Sequence, residues 1–551
     1  MDSLAMHLVT WIHRPYLLAC PPITHNLEDQ RRVLQFLAYL RRIRQPSSLV
    51  YQYIRYQYEE ALSNSYFTAA FIAKVKRIAA HPFFRRAWVL QEVHSNERVT
   101  LRLCNVDFPW DVFRCLLQVT IEAHWSKYTT WDDSRAPKQS GAFEGHEEFQ
   151  WDVSVPSLWL HVGRRVNGER HNIPLAMILR KSGSFRSTDP RDRLYAFYHL
   201  SLDVSTGSFT PNYSVSVSDT YRIFTEWCLH SMGSLQILSF TNPPRSSNSP
   251  RSTELPSWVP DFTSFDDLSA ELLDFRIGFN ATFRANAGRV IRQCRSSDSR
   301  VLCLAGYAVN RVKYAISPTL LGSQFRKEPD SNWSDYDLDQ IFIALYLMHQ
   351  NVQRLLTGQK LEDVILDEYD GLKRVNLSHE AFASAVFASF EGHQLSTLHS
   401  CSLVQAWKRY DPEFEYAEEM AWWEAQKLKR QCATCKDPEY RFRLGMWSHA
   451  LESRWFFLAE DGSFGMCPEG TESGDSVVVL LGGAVPFILR PMPPPDGTTL
   501  AEFLVKGDEY KLIGECYVDG LMDGELFSSR HFPNSMYTTV EQLGLSVFRM
   551  R

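Results

Sequence analysis

The sequence predicts a mixed α+β protein with a helical N-terminal part, a mainly helical centre and a small antiparallel β-sheet or barrel at its C-terminal end. Three observations carry that reading. Apolar residues recur at helical spacing ahead of Pro82, first at Leu34, Leu37, Ala38 and Leu40 and again at Ala70, Phe71, Val75 and Ile78. A Pro- and Ser-rich stretch, 241–254, interrupts the chain as a linker. Beyond it the pattern changes to short β-prone runs separated by glycine-containing turns.

Taken in order, Phe84 to Val93 reads as a compact helix and Arg98–Cys104 as a strand. Residues 126–150 are polar and irregular, as a surface loop would be, and a second helical block runs from 156 to 240. Residues 300–310 read as a strand through Val301, Leu302 and Leu304, and 337–430 return to helix around the Trp422–Trp423 pair. The C-terminal runs are Arg454–Ala459, a hairpin turn at Asp461–Gly462, a buried strand at Val477–Leu481 closed by Gly482–Gly483, then Pro486–Leu489 and Lys511–Val518. Four regions follow: 1–125, 126–265, 266–440 and 441–551.

Composition excludes several classes of function. Of 551 residues, 44% are hydrophobic and 22% charged, so the chain can bury cores and is not disordered along its length. Lys plus Arg is 58 against 64 for Asp plus Glu, a net charge of −6, which removes the bulk electrostatic case for nucleic acid. The apolar stretch Leu4–Cys20 is broken by His7, His13, Arg14 and Pro15, so neither a signal peptide nor a membrane span is expected. Its 11 cysteines are odd in number and irregular in spacing, unlike a disulfide framework. A cytoplasmic location is the expectation.

Common catalytic signatures are absent: no GxGxxG, Walker-A loop, GxSxG elbow or HExxH. Cys432 and Cys435 form a lone CxxC, and Asp335, Asp337 and Asp339 are followed by Gln340 where a calcium loop needs glycine, so no metal site is expected. On a helix, Trp88 and Glu92 are four apart and share a face. A carboxylate beside an indole has its pKa raised. The same spacing equally suits a core tryptophan with Glu92 paired to Arg85 or Arg86. In the segment 188–195, Thr188 or Asp189 is placed as N-cap, Pro190 at the first helical position, and Asp192 against the helix dipole. Leu255–Asp261, with two prolines around Trp258, reads as an extended strap that packs one aromatic side chain into a groove.

Together these segments resemble fungal heterokaryon-incompatibility (HET) domain proteins. Residues 84–92, with Arg86, Trp88, Gln91 and Glu92, are similar to the family's W-F-x-R-x-W-x-x-Q-E helix. Val99–Cys104 with Trp110 resembles the strand and tryptophan that close the HET domain. Asp189, Arg191 and Asp192 stand in a DPRD-type segment that ends at Tyr195–Ala196, and Pro211–Ser214 with Tyr221 is similar to the helix start that follows it. Leu255–Asp261 matches the strap LPSWVPDW through Trp258 and Asp261, with Phe262 for the final tryptophan. Arg454–Phe457, Gly474–Asp475, Leu481–Gly483, Pro486–Phe487 and the run Gly514, Glu515, Cys516, Tyr517, Val518, continuing to Glu525, follow the C-terminal sheet.

The resemblance lacks the family's opening ALSYxWG strand and its WIDAxCINQ strand and helix; Asn26–Asp29 is similar only to the segment between them. The implied fold is therefore a partial, TIR-like α/β HET remnant. What the resemblance implies is a protein of fungal non-self recognition and cell-death signalling that works through contacts with other proteins of an incompatibility pathway and needs no cofactor. One rival is an NAD-cleaving hydrolase of TIR-like type, with NAD as substrate and Glu92 as the catalytic carboxylate stabilising a ribosyl cation. The other is a truncated paralogue without function.

Overall fold

The computed structural model describes residues 81–118, 158–201 and 283–316 with gaps, and 209–241, 254–263, 454–493, 508–528 and 545–551, besides Val75 and Ala79. The helices expected at 27–78 and 337–430, the loop at 126–150 and the Cys432–Cys435 and Asp335–Asp339 motifs lie outside the described residues, apart from those two positions. The chain divides into two compact units, one of 1–127 and 132–207, the other of 128–131 and 208–551.

In the first unit a 3-10 turn, Pro82–Arg85, leads into helix α1, Ala87–Ser95. The helix expected from Phe84 is broken at Arg86, whose backbone is extended (φ −82°, ψ 125°) and forms a parallel bridge with Arg186. There the Ala87 amide donates to the Arg186 carbonyl at 3.1 Å rather than into a helical turn. After α1 come strands β1, Thr100–Leu103, and β2, Val106–Pro109, paired as an antiparallel hairpin, and the short hairpin β3 (Arg165–Val166) and β4 (Glu169–Arg170). Helix α2, Asp192–Tyr198, follows. A parallel TIR-like layer is not among the described residues of this unit. Its core is aromatic instead: Phe84, Phe113, Trp110, Trp159, Phe185 and Phe197 form a chain of ring contacts with centroids 5.0–6.2 Å apart.

The second unit starts with helix α3, Val217–Met232. Ser216 caps it by accepting the Asp219 amide, and Gly233 ends it in the left-handed conformation. A 3-10 segment, Leu235–Phe240, comes next. The strands are β5 (Gln293–Cys294), β6 (Leu302–Ile316), β7 (Arg454–Ala459), β8 (Phe464–Pro468), β9 (Ser476–Leu480), β10 (Phe487–Pro491), β11 (Glu509–Glu515), β12 (Tyr517–Val518) and β13 (Ser546–Met550), with helix α4, Glu525–Ser528, after β12.

β6 pairs with β13, β13 with β11, β11 with β10, β10 with β9, and β9 with β6 again, so the ladder returns to its start and closes a barrel. All these pairings are antiparallel except β11 with β13. The far half of β6 carries β7, then β8, then β12. Two register shifts in β6, at Ala308/Asn310 and Val312/Tyr314, bend the strand so that one segment serves both parts. All five residues of β9, Ser-Val-Val-Val-Leu, are buried, as expected of a strand covered on both faces. The β7–β8 turn is the predicted hairpin: Gly462 sits at φ +89°, and Asp461 Oδ1 accepts the Ser463 amide at 2.8 Å. The barrel is not confined to 441–551, since it takes β6 from 302–316.

Candidate functional site

The predicted site residues fall into three places. On α1, Ala87, Val89, Leu90 and Val93 are buried. Trp88 is half-buried and packs against the aromatic core, while Gln91 is half-buried and Arg86 and Glu92 are exposed. Trp88 and Glu92 share a face as the spacing required, with the indole serving the core. Although Glu92 is exposed as a residue, partial burial of its carboxyl pushes its pKa up from the usual carboxylate value, and the Arg86 charge works the other way. Asn96 donates to the Glu92 backbone carbonyl at 2.6 Å and so caps the end of the helix.

The second place is the turn before α2. Asp189 Oδ1 accepts from the Arg191 amide at 3.0 Å and from Arg191 Nε at 2.9 Å, and Oδ2 accepts from Nη2 at 2.7 Å. One aspartate therefore caps the turn and holds a bidentate guanidinium. That hydrogen bonding holds its carboxyl below the usual carboxylate range. The helix proper begins later than the sequence suggested, at Asp192, because the Asp192 and Arg193 amides close tight i→i+3 turns onto Asp189 and Pro190.

The third place is the barrel. Trp258 is fully buried and donates its indole N–H to the Arg300 carbonyl at 3.0 Å. Asp261 Oδ1 accepts the Thr263 amide at 3.0 Å. Phe262 packs edge-on against Tyr221 and Phe224 of α3, with centroids 5.2 and 5.6 Å away. The strap is fastened by Ser257, whose hydroxyl accepts the Leu512 amide of β11 at 2.9 Å and whose amide donates to the Arg551 carbonyl at 3.0 Å. Gly514 pairs with Ile488 beside the bulge between β10 and β11 and adopts φ +150°, a conformation that favours glycine.

Glu515 is completely buried. It meets the guanidinium of Arg454, itself 3% exposed, with Nη2 to Oε1 at 2.7 Å and Nη1 to the Glu515 carbonyl at 2.6 Å. Tyr517 has its hydroxyl pKa pushed up by burial, and burial also raises that of Asp519, against the hydrogen bond from Tyr517. A second clamp holds the turn between β8 and β9. Arg490 reaches Asp475 through Nε at 2.8 Å and Nη2 at 2.9 Å, Glu472 through Nη1 at 2.9 Å, and the Gly470 carbonyl at 2.6 Å.

The α1 and α2 residues thus lie in the first unit, and Trp258, Asp261, Gly514, Glu515 and Tyr517 in the second. Among the described residues no group of three His, Cys, Asp or Glu is arranged to hold a metal, and no helix is long and apolar enough to cross a membrane. Sequence reasoning missed Arg454 as the partner of Glu515, Ser257 as the strap's fastener, and Trp159, whose indole donates to the Phe84 carbonyl at 3.0 Å. For the first of these a signal was present: a charged residue opening the apolar run Arg-Trp-Phe-Phe, which a buried strand carries only with a partner.

Comparison with known proteins agrees with the motifs. Residues 365–534 match the Het-6 beta-barrel domain. Over 368 residues the chain is 25% identical to heterokaryon incompatibility protein 6, OR allele, of Neurospora crassa, an alignment that covers 62% of this chain and 49% of that protein. The chain thus matches about half the length of that relative. No solved structure matches it. The resemblance to fungal heterokaryon-incompatibility proteins is therefore borne out, and the barrel described above extends past the matched residues at both ends, through β6 and β13.

Proposed function

We propose that the chain acts in fungal non-self recognition of the heterokaryon-incompatibility type, in the cytoplasm, and contributes to cell-death signalling through contacts with other proteins of that pathway. The match of residues 365–534 to the Het-6 barrel carries this reading. Physically, a barrel whose ladder closes on itself has few open strand edges and is a rigid platform, so recognition falls to its loops and to the layers packed on it. The test is expression of the chain in a filamentous fungal host. Growth arrest is the expected outcome. Normal growth with folded protein present in the lysate would overturn the proposal and favour a paralogue without function.

A second reading, cleavage of NAD with Glu92 as the catalytic carboxylate, is favoured by one observation: the raised pKa of that carboxyl one helical turn from Trp88. Loss of NAD is measured with the purified wild type and with Glu92→Gln. Turnover in the first and none in the second supports it, and absence of turnover in both removes it.

A further inference from the structure

The antiparallel pairing of β8 with β12 is the shortest link in the arm that leaves the far half of β6, with Tyr517 opposite Met466 and Val518 opposite Gly465. Beyond it the Asp519 amide donates to the Phe464 carbonyl at 3.0 Å, so the same register continues and makes 519/464 a hydrogen-bonded pair. Pairs alternate along an antiparallel ladder, so 517/466 is also hydrogen-bonded while 518/465 and 516/467 are not. In agreement, the Cys516 amide turns away from β8 and donates to the Pro486 carbonyl at 2.9 Å. Carried one position beyond the paired residues, the register sets Cys516 opposite Cys467 at a non-hydrogen-bonded position. At such a position an ideal ladder sets Cα atoms about 4.5 Å apart, within the roughly 4.4–6.8 Å that a disulfide spans.

Both cysteines are free thiols, fully buried in one apolar cluster with Val518, Ile488 and Phe457. The Cys467 thiol is oriented by donating to the Trp455 carbonyl at 3.3 Å.

We propose that Cys467 and Cys516 are a redox-sensitive latch, a dithiol that hydrogen peroxide converts into a disulfide joining β8 to β12. In the closed barrel the pair is protected. Burial pushes the Cys467 thiol up to about 12 and that of Cys516 well above its usual value, with Arg454 only partly opposing. Reaction requires β12 to part from β8, and with only two paired residues on each strand few hydrogen bonds oppose that opening. Because the two cysteines face each other across the ladder, one opening frees both.

In the opened state the thiolate of one cysteine attacks a peroxide oxygen. The O–O bond breaks, and sulfenic acid and hydroxide form; the hydroxide takes up the proton released by the thiol to give water. The second thiol then attacks the sulfenic sulfur and forms the S–S bond. The sulfenic oxygen leaves as a second water, so two thiols and one peroxide give one disulfide and two waters. The bond then spans the shortest ladder of the arm.

The test uses the full chain treated with increasing hydrogen peroxide, quenched with N-ethylmaleimide in denaturant, digested and mapped by mass spectrometry. The expected product is a Cys467–Cys516 linked peptide, lighter by the two thiol hydrogens and restored by dithiothreitol, together with a raised guanidinium midpoint for the oxidised barrel. Cys467→Ala and Cys516→Ala should each abolish both effects. Recovery of both cysteines as maleimide adducts from peroxide-treated wild type overturns the proposal without relying on any variant. So does linkage to a different cysteine, or a disulfide that leaves the midpoint unmoved.

Discussion

Two buried polar groups, one in each unit, are satisfied by different means. In the first, the indole of Trp159 sends its N–H to the backbone carbonyl of Phe84 within a cluster of aromatic and aliphatic side chains. In the barrel a complete ion pair, Arg454 with Glu515, is enclosed between strands. A neutral hydrogen bond loses little on burial, whereas two charges lose their hydration and recover it only through each other and through further hydrogen bonds. The lesson is that losing one partner costs more at the barrel's ion pair than at the first unit's indole. A pair of that kind also ties β7 to the end of β11, two strands that share no ladder.

Four measurements break or sharpen that contrast. Arg454→Met leaves Glu515 buried and alone and should cost the barrel about 3–5 kcal/mol, while the double change Arg454→Met with Glu515→Leu should recover most of that loss. Guanidinium unfolding followed by tryptophan fluorescence reads both, and a single change that costs less than about 1 kcal/mol would remove the ion pair from the argument. Trp159→Phe in the first unit removes the donor to Phe84 and some ring volume, and should cost about 1–3 kcal/mol while leaving the barrel transition in place. Ser257→Ala strips the Leu512 amide of its acceptor beneath the strap, a loss of about 1–2 kcal/mol seen in the barrel transition alone.

The smallest effect belongs to Asp189. Its folded pKa is lowered by Arg191, so its contribution is present above the unfolded aspartate value of about 3.9 and is lost as the pH falls through the lower folded value. The pair is partly exposed, with side chains at 17% and 28%, and solvent screening keeps the contribution below about 1 kcal/mol. The stability difference between wild type and Asp189→Asn should therefore shrink as the pH drops from about 5 to below 3. A difference that stays constant over that range would show that the carboxylate charge is not what holds Arg191.

Much of the barrel was legible. Arg454–Ala459, Val477–Leu481 and Lys511–Val518 announce themselves as short apolar runs, and Asp461–Gly462 marks the turn between β7 and β8. Closure was not legible, because strand pairing between 302–306 and 546–550 joins segments with no local signal of each other. Glu515 could be named as a motif residue, but its partner lies 61 residues earlier and only the fold brings them together. In the first unit, composition foretold aromatic burial, whereas the break at Arg86 arises from a backbone bridge to Arg186 that no helical period encodes. Helix propensity loses there to a tertiary hydrogen bond.

The position of β13 has a consequence for biosynthesis. It lies between β6 and β11, five residue pairs on one side and two on the other, so the ring cannot be completed before residues 546–550 have left the ribosome. Its partner β6 has by then been exposed while all of 317–453 was made, and β7, its neighbour on the same edge, also arrives late. Nascent chains therefore pass through a stage with unsatisfied strand edges and with Phe548 and Met550 not yet in place. Such sparsely local pairing favours slow folding, because loop closure must come before the contacts that reward it.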